Sequence, residues 1–241
     1  MKKIQKSSEL LWVFGTVFVA LGVATCSKVD LGVSMIAAPA FVVSEALSRL
    51  WNGFSVGMTE YIIQGLILIL MCVIVRKFNW RYLIAFLVAV IYGYTLNFFL
   101  WIFKGVNFNA IWLRWVMLIV GDIITAFGVA CFFKTYLPLQ VYELFVAETA
   151  SVFNLKISVM KSIFDASLLV LSIILALTLF GDVATFDWAT IYYKSFHSIG
   201  LGTVVTTFVN SPLINVCSKF IDKIFEPTAR FTKLEKVFRR N

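Results

Sequence analysis

Charge is scarce in this sequence of 241 residues. Asp, Glu, Lys and Arg together make up 14% of it, whereas 61% is hydrophobic. A soluble domain of this size could not bury so much apolar surface. Several apolar runs approach the length that crosses a bilayer, and they are continuous rather than alternating residue by residue. The composition therefore predicts an integral membrane protein made of α-helices, with the lipid bilayer as its first partner.

The common motifs of catalytic and metal sites are also missing. There is no nucleotide-binding glycine loop, no zinc-protease pair and no triad-like arrangement. The only histidine, His197, has no cysteine or carboxylate at metal-ligand spacing, and the four cysteines have no paired spacing. The net charge of +8 sits in loops and a tail. We expect no enzyme activity, no cofactor, no metal site and no nucleic-acid partner.

One pattern occurs twice in the chain. Six identities repeat at an offset of about 106 positions: Gly15, Gly22-Val23-Ala24, Lys28 and Leu31 match Gly121, Gly128-Val129-Ala130, Lys134 and Leu137. Each copy begins as a long apolar helix, followed by a polar break and a shorter mixed segment. The pattern predicts two tandem membrane repeats, residues 1–105 and 106–218, followed by a tail, residues 219–241.

Six apolar runs are long enough to be membrane spans. They are Leu10–Cys26, Gly57–Val75, Leu83–Phe103, Ile111–Phe133, Val159–Phe180 and Ser198–Cys217. Two further segments, Leu31–Leu50 and Leu139–Phe153, are too polar to face lipid. They are interpreted as re-entrant hairpins, broken helices or helices buried among others.

Two topologies follow from these segments. If the two polar segments dip in and return, each half has three spans and the halves are inverted (3+3). If they cross fully, each half has four spans and the halves are parallel (4+4). The cluster Arg76-Lys77 with Arg81 lies on the cytoplasmic side only in the six-span topology, which we therefore favour. The Asp182–Tyr193 loop is external in both.

The tail from Lys219 to Asn241 places Phe231, Leu234 and Phe238 at helical spacing among basic residues. This is typical of an amphipathic helix on the anionic inner leaflet, and a partner-docking tail is the alternative. The expected location is the cell (cytoplasmic) membrane, with both termini in the cytoplasm.

Carboxylates within the apolar segments are the first candidate site residues, because ionisable groups are costly in a membrane. Glu45 and Glu148 occupy matching places in the two polar segments, which suits cation or proton coupling. Neutralisation by a nearby base is the structural alternative for both. Asp122 and Asp165 could line a pathway or form helix-to-helix hydrogen bonds.

The remaining candidates are small or polar residues of the interrupted segments. Gly200, Gly202 and Thr203 begin the last span, where close helix packing is favoured over ligand binding. The full hypothesis for a substrate- or ion-binding site comprises Gly32, Ser34, Glu45, Asp122, Gln140, Glu143, Glu148, Asp165, Gly200, Gly202 and Thr203.

Three features resemble the YczE/YyaS/YitT-type family of integral membrane proteins. They are Leu21-Gly22-Val23-Ala24 followed by Leu31-Gly32-Val33-Ser34, the duplication itself, and Gly200-Leu201-Gly202-Thr203 followed by Pro212. Met35 and the Asn210-Ser211-Pro212 run depart from the proline and the Gly-Pro pair expected there. The resemblance implies a membrane protein of transport type, with no known substrate.

The function predicted is a small-solute transporter or permease with a mid-membrane site at the repeat interface, acting on a small molecule or an ion. The alternatives are a non-transporting membrane helper or scaffold, and a substrate-binding subunit of a larger transport complex. A protein partner or a homo-oligomer is left open.

Overall fold

The structure is a computed structural model that describes residues 4–51, 53–180, 196–228 and 230. Its elements are β1 (Ile4–Ser7), α1 (Ser8–Ser27), α2 (Ala38–Ser48), α3 (Val56–Val75), α4 (Trp80–Ile102), a 3₁₀ turn (Phe103–Gly105), α5 (Ile111–Phe133), α6 (Val141–Val152), α7 (Ile157–Phe180), α8 (Leu201–Ile224) and β2 (Phe225–Thr228). Six of the described helices, α1, α3, α4, α5, α7 and α8, are long and apolar enough to cross a membrane. The predicted all-α polytopic class is confirmed.

The largest departures from the predicted spans lie at the carboxyl end. Helix α8 continues to Ile224, beyond the predicted end at Cys217. The next four residues form strand β2, which pairs in parallel with β1, rather than continuing as the expected amphipathic helix. Residues 231–241 and the Asp182–Tyr193 loop lie outside the described residues.

Local sequence signals set the ends of several helices. Ser55 caps α3 by accepting a hydrogen bond from the Met58 backbone N–H at 3.3 Å. Asn79 caps α4 by accepting one from Arg81 at 3.0 Å. Between them, Arg76 adopts a left-handed conformation with φ of 53° and terminates α3. The α3–α4 connection is therefore a tight turn.

Helices α1 and α5 form the centre of the bundle and run antiparallel. Gly15 lies against Gly128, and Gly22 lies against Gly121. A Cβ atom at Gly22 would lie 2.5 Å from the Gly121 carbonyl oxygen and 2.2 Å from Thr125 Oγ1. The glycines of the duplicated pattern thus let two backbones approach closely, as small residues do between membrane helices.

The other helix contacts come in matching pairs when the two halves are exchanged. Helix α1 packs on α4 as α5 packs on α8, α3 on α4 as α7 on α8, and α2 on α3 as α6 on α7. Across the halves, α2 packs on α7 as α6 packs on α3. Each short helix therefore lies against the same two long helices.

The segment containing α2 enters and leaves at one face of the bundle. The Val33 N–H donates to Ser198 O at 2.9 Å, just before α8 begins. Met35 then lies against Asn210, about 14 Å further along α8 at 1.5 Å per residue. The end of α2 returns, because Glu45 contacts His197 at 2.7 Å. We call this the distal face.

The segment containing α6 makes the same excursion from the opposite face, which we call the amino-terminal face. Before α6, the Trp12 indole N–H donates to Pro138 O at 2.9 Å, near the start of α1. The Tyr142 hydroxyl then donates to Glu60 on α3 at 2.9 Å. Toward the end of α6, Glu148 lies beside Arg81 at the start of α4. The described part of the chain thus contains six long helices and two short ones, and the six long ones are those long and apolar enough to cross a membrane.

Candidate functional site

A cluster of buried polar side chains surrounds the start of α6. On α3, Glu60 and Gln64 are fully buried, and Gln64 Nε2 donates to Glu60 Oε2 at 3.4 Å. The same carboxylate oxygen accepts the Tyr142 hydroxyl of α6 at 2.9 Å. The re-entrant helix of the second half is thereby hydrogen-bonded to a carboxylate of the first half. We call these residues, with the neighbours described next, the polar cluster.

The second part of the polar cluster comes from α7. Lys161 and Asp165, one helical turn apart, form an ion pair in which both side chains are at most 3% exposed. Glu143, in the first turn of α6, lies within Coulombic range of Lys161 and of Glu60. It therefore stands between the α3 pair and the α7 pair.

Two more side chains complete the polar cluster. Tyr92 of α4 is fully buried and lies within Coulombic range of both Glu60 and Glu143. Asp122 of α5 is 3% exposed and lies within Coulombic range of Lys161 and Asp165. Four carboxyl groups and one lysine thus share a small region within the helical bundle.

Many buried polar side-chain atoms have no hydrogen-bond partner among the described residues. Those of the polar cluster are Glu60 Oε1, Gln64 Oε1, Tyr92 OH, Asp122 Oδ1, Glu143 Oε2 and Asp165 Oδ2, and the others are Gln140 Oε1 and Nε2, just before α6, and Asn210 Oδ1 on α8. Each such group costs about 1–3 kcal/mol if it stays unsatisfied. Buried polar atoms in native proteins nearly always have partners, so these require protons, water or a ligand.

A cavity of about 160 Å³ lies at the amino-terminal face, and no side chain of the polar cluster is among its lining residues. Arg81 and Glu148 lie among its polar lining residues, and Leu139 and Leu144 among the apolar ones. Leu139 precedes Gln140, and Leu144 follows Glu143, so the cavity reaches residues adjacent to the cluster. We call it the vestibule. Its apolar residues separate the cluster from the face.

Glycines join the first re-entrant segment to the start of α8 on the distal side. Gly32 has a φ of +105°, and a Cβ atom there would lie 2.3 Å from Thr203 Oγ1. The Gly202 N–H donates to Leu31 O at 2.8 Å, and a Cβ atom at Gly200 would lie 2.3 Å from the same oxygen. These residues form a tight backbone junction, which agrees with the close packing favoured for this stretch.

Glu45 belongs to a small cluster at the distal face. It contacts His197 Nδ1 at 2.7 Å and Arg49 at 3.9 Å. The His197 ring stacks on Phe180, the last residue of α7, with 3.7 Å between ring centroids. These contacts hold the end of α2 against the α7 and α8 ends.

The structure brings together only part of the predicted site. Asp122, Gln140, Glu143 and Asp165 lie in or beside the polar cluster. Gly32, Gly200, Gly202 and Thr203 form the distal junction, and Ser34 is buried next to Met35. Glu45 and Glu148 lie at opposite faces and do not share a cavity. The reason is that α2 ends against His197, where Glu45 lies, whereas Glu148 lines the vestibule together with Arg81 of α4.

Sequence reasoning missed Glu60, Tyr92, Tyr142 and Lys161, and treated Gln64 as packing. A signal for two of them was present. The i,i+4 pair Glu60/Gln64 occupies the same place in α3, counted from the helix start, as Lys161/Asp165 does in α7. Polar residues at this spacing share one helix face. The two pairs therefore indicate one polar face on α3 and one on α7.

The fold and this cluster define a polytopic helical membrane protein with a buried, charged centre. The chain belongs to DUF6198, a family of unknown function, whose sequence profile matches residues 6–219. A search of curated proteins and a search of solved structures returned no match. The membrane class rests on the six long apolar helices, and the YczE/YyaS/YitT resemblance stays a prediction.

Proposed function

We propose that this protein is a small-solute membrane transporter whose site is the polar cluster at the start of α6. The observation that carries the proposal is the set of unpartnered, fully buried polar atoms contributed by both halves of the chain. Ionisable groups deep in a membrane mark substrate or ion pathways more often than they serve packing. The vestibule lies at one face, and its lining includes the sequence neighbours of Gln140 and Glu143.

The arrangement of the two halves supports the same proposal. Antiparallel α1 and α5, together with paired helix contacts, are what an inverted repeat produces. We infer that the halves are structural repeats related by a pseudo-two-fold axis. Transporters of this kind place their site near the midplane and use interrupted helices to form it. Here the start of α6 is such an interruption.

Loop charges support an orientation with the amino-terminal face in the cytoplasm. Basic residues in the turns and helix ends of that face are Arg76, Lys77, Arg81, Lys134 and Lys156, and those of the distal face are Lys28, Arg49, Lys104 and Arg114. The tight α3–α4 turn carries two of the former, and Arg81 follows within the first turn of α4. Short cytoplasmic loops are enriched in Lys and Arg, so the vestibule would open to the cytoplasm of a cell membrane.

A ligand screen by thermal stability tests the proposal without assuming a substrate. A solute that binds the folded state raises its melting temperature. We expect at least one solute to stabilise the wild type but not Glu143→Gln, which keeps the side-chain shape and removes the ionisable carboxyl group. Asp222→Asn, at an exposed ion pair with Lys134, is the matched control and should respond like wild type.

The outcome also separates the alternatives. A solute that binds through Glu143 but is not taken up into proteoliposomes would favour a substrate-binding subunit of a larger complex. No stabilising solute, with Glu143→Gln melting like wild type, would favour a membrane helper or scaffold and would contradict the proposed site.

A further inference from the structure

The charge balance of the polar cluster is the starting point. Lys161 and Asp165 neutralise each other as an ion pair. The remaining acids are Glu60, Glu143 and Asp122, and the described part of the cluster offers no second base for them. At this depth a bare carboxylate is unfavourable, so each remaining acid requires a proton or a cation.

The geometry favours protons over a shared metal ion. Among the described residues, no three Asp, Glu, His or Cys side chains converge closely enough to hold a metal ion. Glu60 Oε2 already accepts two hydrogen bonds, from Tyr142 and Gln64, whereas Glu60 Oε1 has none. A proton on the free oxygen would add a donor to a region whose unpartnered atoms are almost all acceptors.

We propose that the polar cluster is a proton-binding site, in which Glu60 holds a proton on Oε1 and Glu143 holds an exchangeable one on Oε2. The charged and titratable groups near Glu143 are Glu60 from α3, Tyr92 from α4, Lys161 and Asp165 from α7, and Tyr142, its neighbour in α6. Asp122 from α5 lies near the Lys161–Asp165 pair. Glu60 lies in the first half of the chain and Glu143 in the second. A change of charge on either acid therefore changes the electrostatic interaction between the two halves.

Exchange would occur through the vestibule. Its lining residue Leu144 is the neighbour of Glu143 in α6, so a movement of this part of α6 would admit water from the vestibule to Glu143 Oε2. When Glu143 releases its proton to that water, its carboxylate attracts the Lys161 ammonium group, which Asp165 otherwise holds. The lysine is then shared by two carboxylates, and rebinding of the proton returns it to Asp165.

This inference deepens the proposed function by naming protons as the coupling ion, and it rests on that function only for the coupling. Proton binding itself is measured without any solute. A protein with protonated Glu60 and Glu143 but no uptake of any solute would refute transport and leave the proton site intact. Uptake of a solute by a protein whose Glu60 and Glu143 are not protonated would refute the proton site and leave transport intact.

Infrared spectroscopy of the purified protein in lipid tests proton binding directly. At neutral pH we expect a carbonyl stretch of protonated carboxylic acids that shifts in D2O. Glu60→Gln and Glu143→Gln should each remove one component, and the double variant should remove both, leaving any Asp122 component. Asp222→Asn at the surface should leave the band unchanged. As bulk pH rises, the Glu143 component should disappear reversibly.

Three results would overturn the inference. They are no protonated band in the wild type at neutral pH, a band that survives the double variant unchanged, and a Glu143 component that never titrates. If the double variant does not fold, Tyr142→Phe tests whether one component of the infrared band belongs to Glu60. It removes one hydroxyl and the 2.9 Å hydrogen bond, so it should shift the frequency of the Glu60 component without abolishing it.

Discussion

The buried ion pair of α7 gives the sharpest stability prediction. In Lys161→Met, Asp165 loses the cationic partner that the described residues provide, at a position with 0% side-chain exposure. Breaking a buried pair by removing one partner costs about 3–5 kcal/mol of unfolding free energy, because the remaining charge stays buried. We expect the loss of unfolding free energy in Lys161→Met to fall in this range.

A second substitution should restore most of that loss. In Lys161→Met/Asp165→Leu both charges are gone, and an apolar pair replaces them on the same helix face. Replacing both members of a buried ion pair by apolar residues is often neutral or stabilising. The double-mutant cycle should therefore show a coupling of about 3 kcal/mol between the two positions.

The assay is equilibrium unfolding in mixed detergent micelles, and the chain supplies its own control. Lys134 and Asp222 also form an ion pair, at 2.6 Å, but their side chains are 25% and 54% exposed. Exposed pairs contribute about 0–1 kcal/mol, so the same cycle there should give little coupling. The argument that burial makes the α7 pair strong would be refuted if Lys161→Met and Lys134→Met lost equal unfolding free energy and neither cycle showed coupling.

Three other predictions concern packing and topology. Gly22→Ala should destabilise the protein by about 1–3 kcal/mol, because its Cβ atom would meet the α5 backbone, whereas Gly105→Ala, with no atom within 4 Å of the added carbon, should melt like wild type. In a cysteine-free variant, Lys28→Cys and Lys77→Cys should react with a membrane-impermeant thiol reagent from opposite sides, and labelling of both from one side would contradict the six-span topology. His197→Ala should lower unfolding free energy by about 1–2 kcal/mol, through loss of the hydrogen bond to the α2 carboxylate and of the ring stacking; an unchanged melting temperature would show that this contact does not hold α2.

The membrane spans were predictable because a span must be a long, nearly uncharged run. The fourth predicted span coincides with α5, and the two polar segments contain the short helices α2 and α6 instead of long spans. The contact partners were not predictable from the same pattern. Apolar periodicity shows that a helix is buried, but it does not say which helix covers it.

The site was predictable only where a carboxylate lay deep in an apolar run, as Asp122 does. Lys161 lies near the start of its helix, where a lysine is expected to reach the membrane surface, yet it is 2% exposed. Glu60 also lies one turn into its helix. Its burial depends on Tyr142, 82 residues further along the chain. Such contacts arise from tertiary packing, which no local pattern contains.

The most direct test of the proposed function is uptake of a stabilising solute into proteoliposomes that contain the purified protein. The solute would be taken from the thermal screen. Wild type and Asp222→Asn should accumulate it at similar rates, whereas Glu143→Gln should melt normally and fail to accumulate it. Uptake by Glu143→Gln at the wild-type rate would contradict a transport site at the polar cluster.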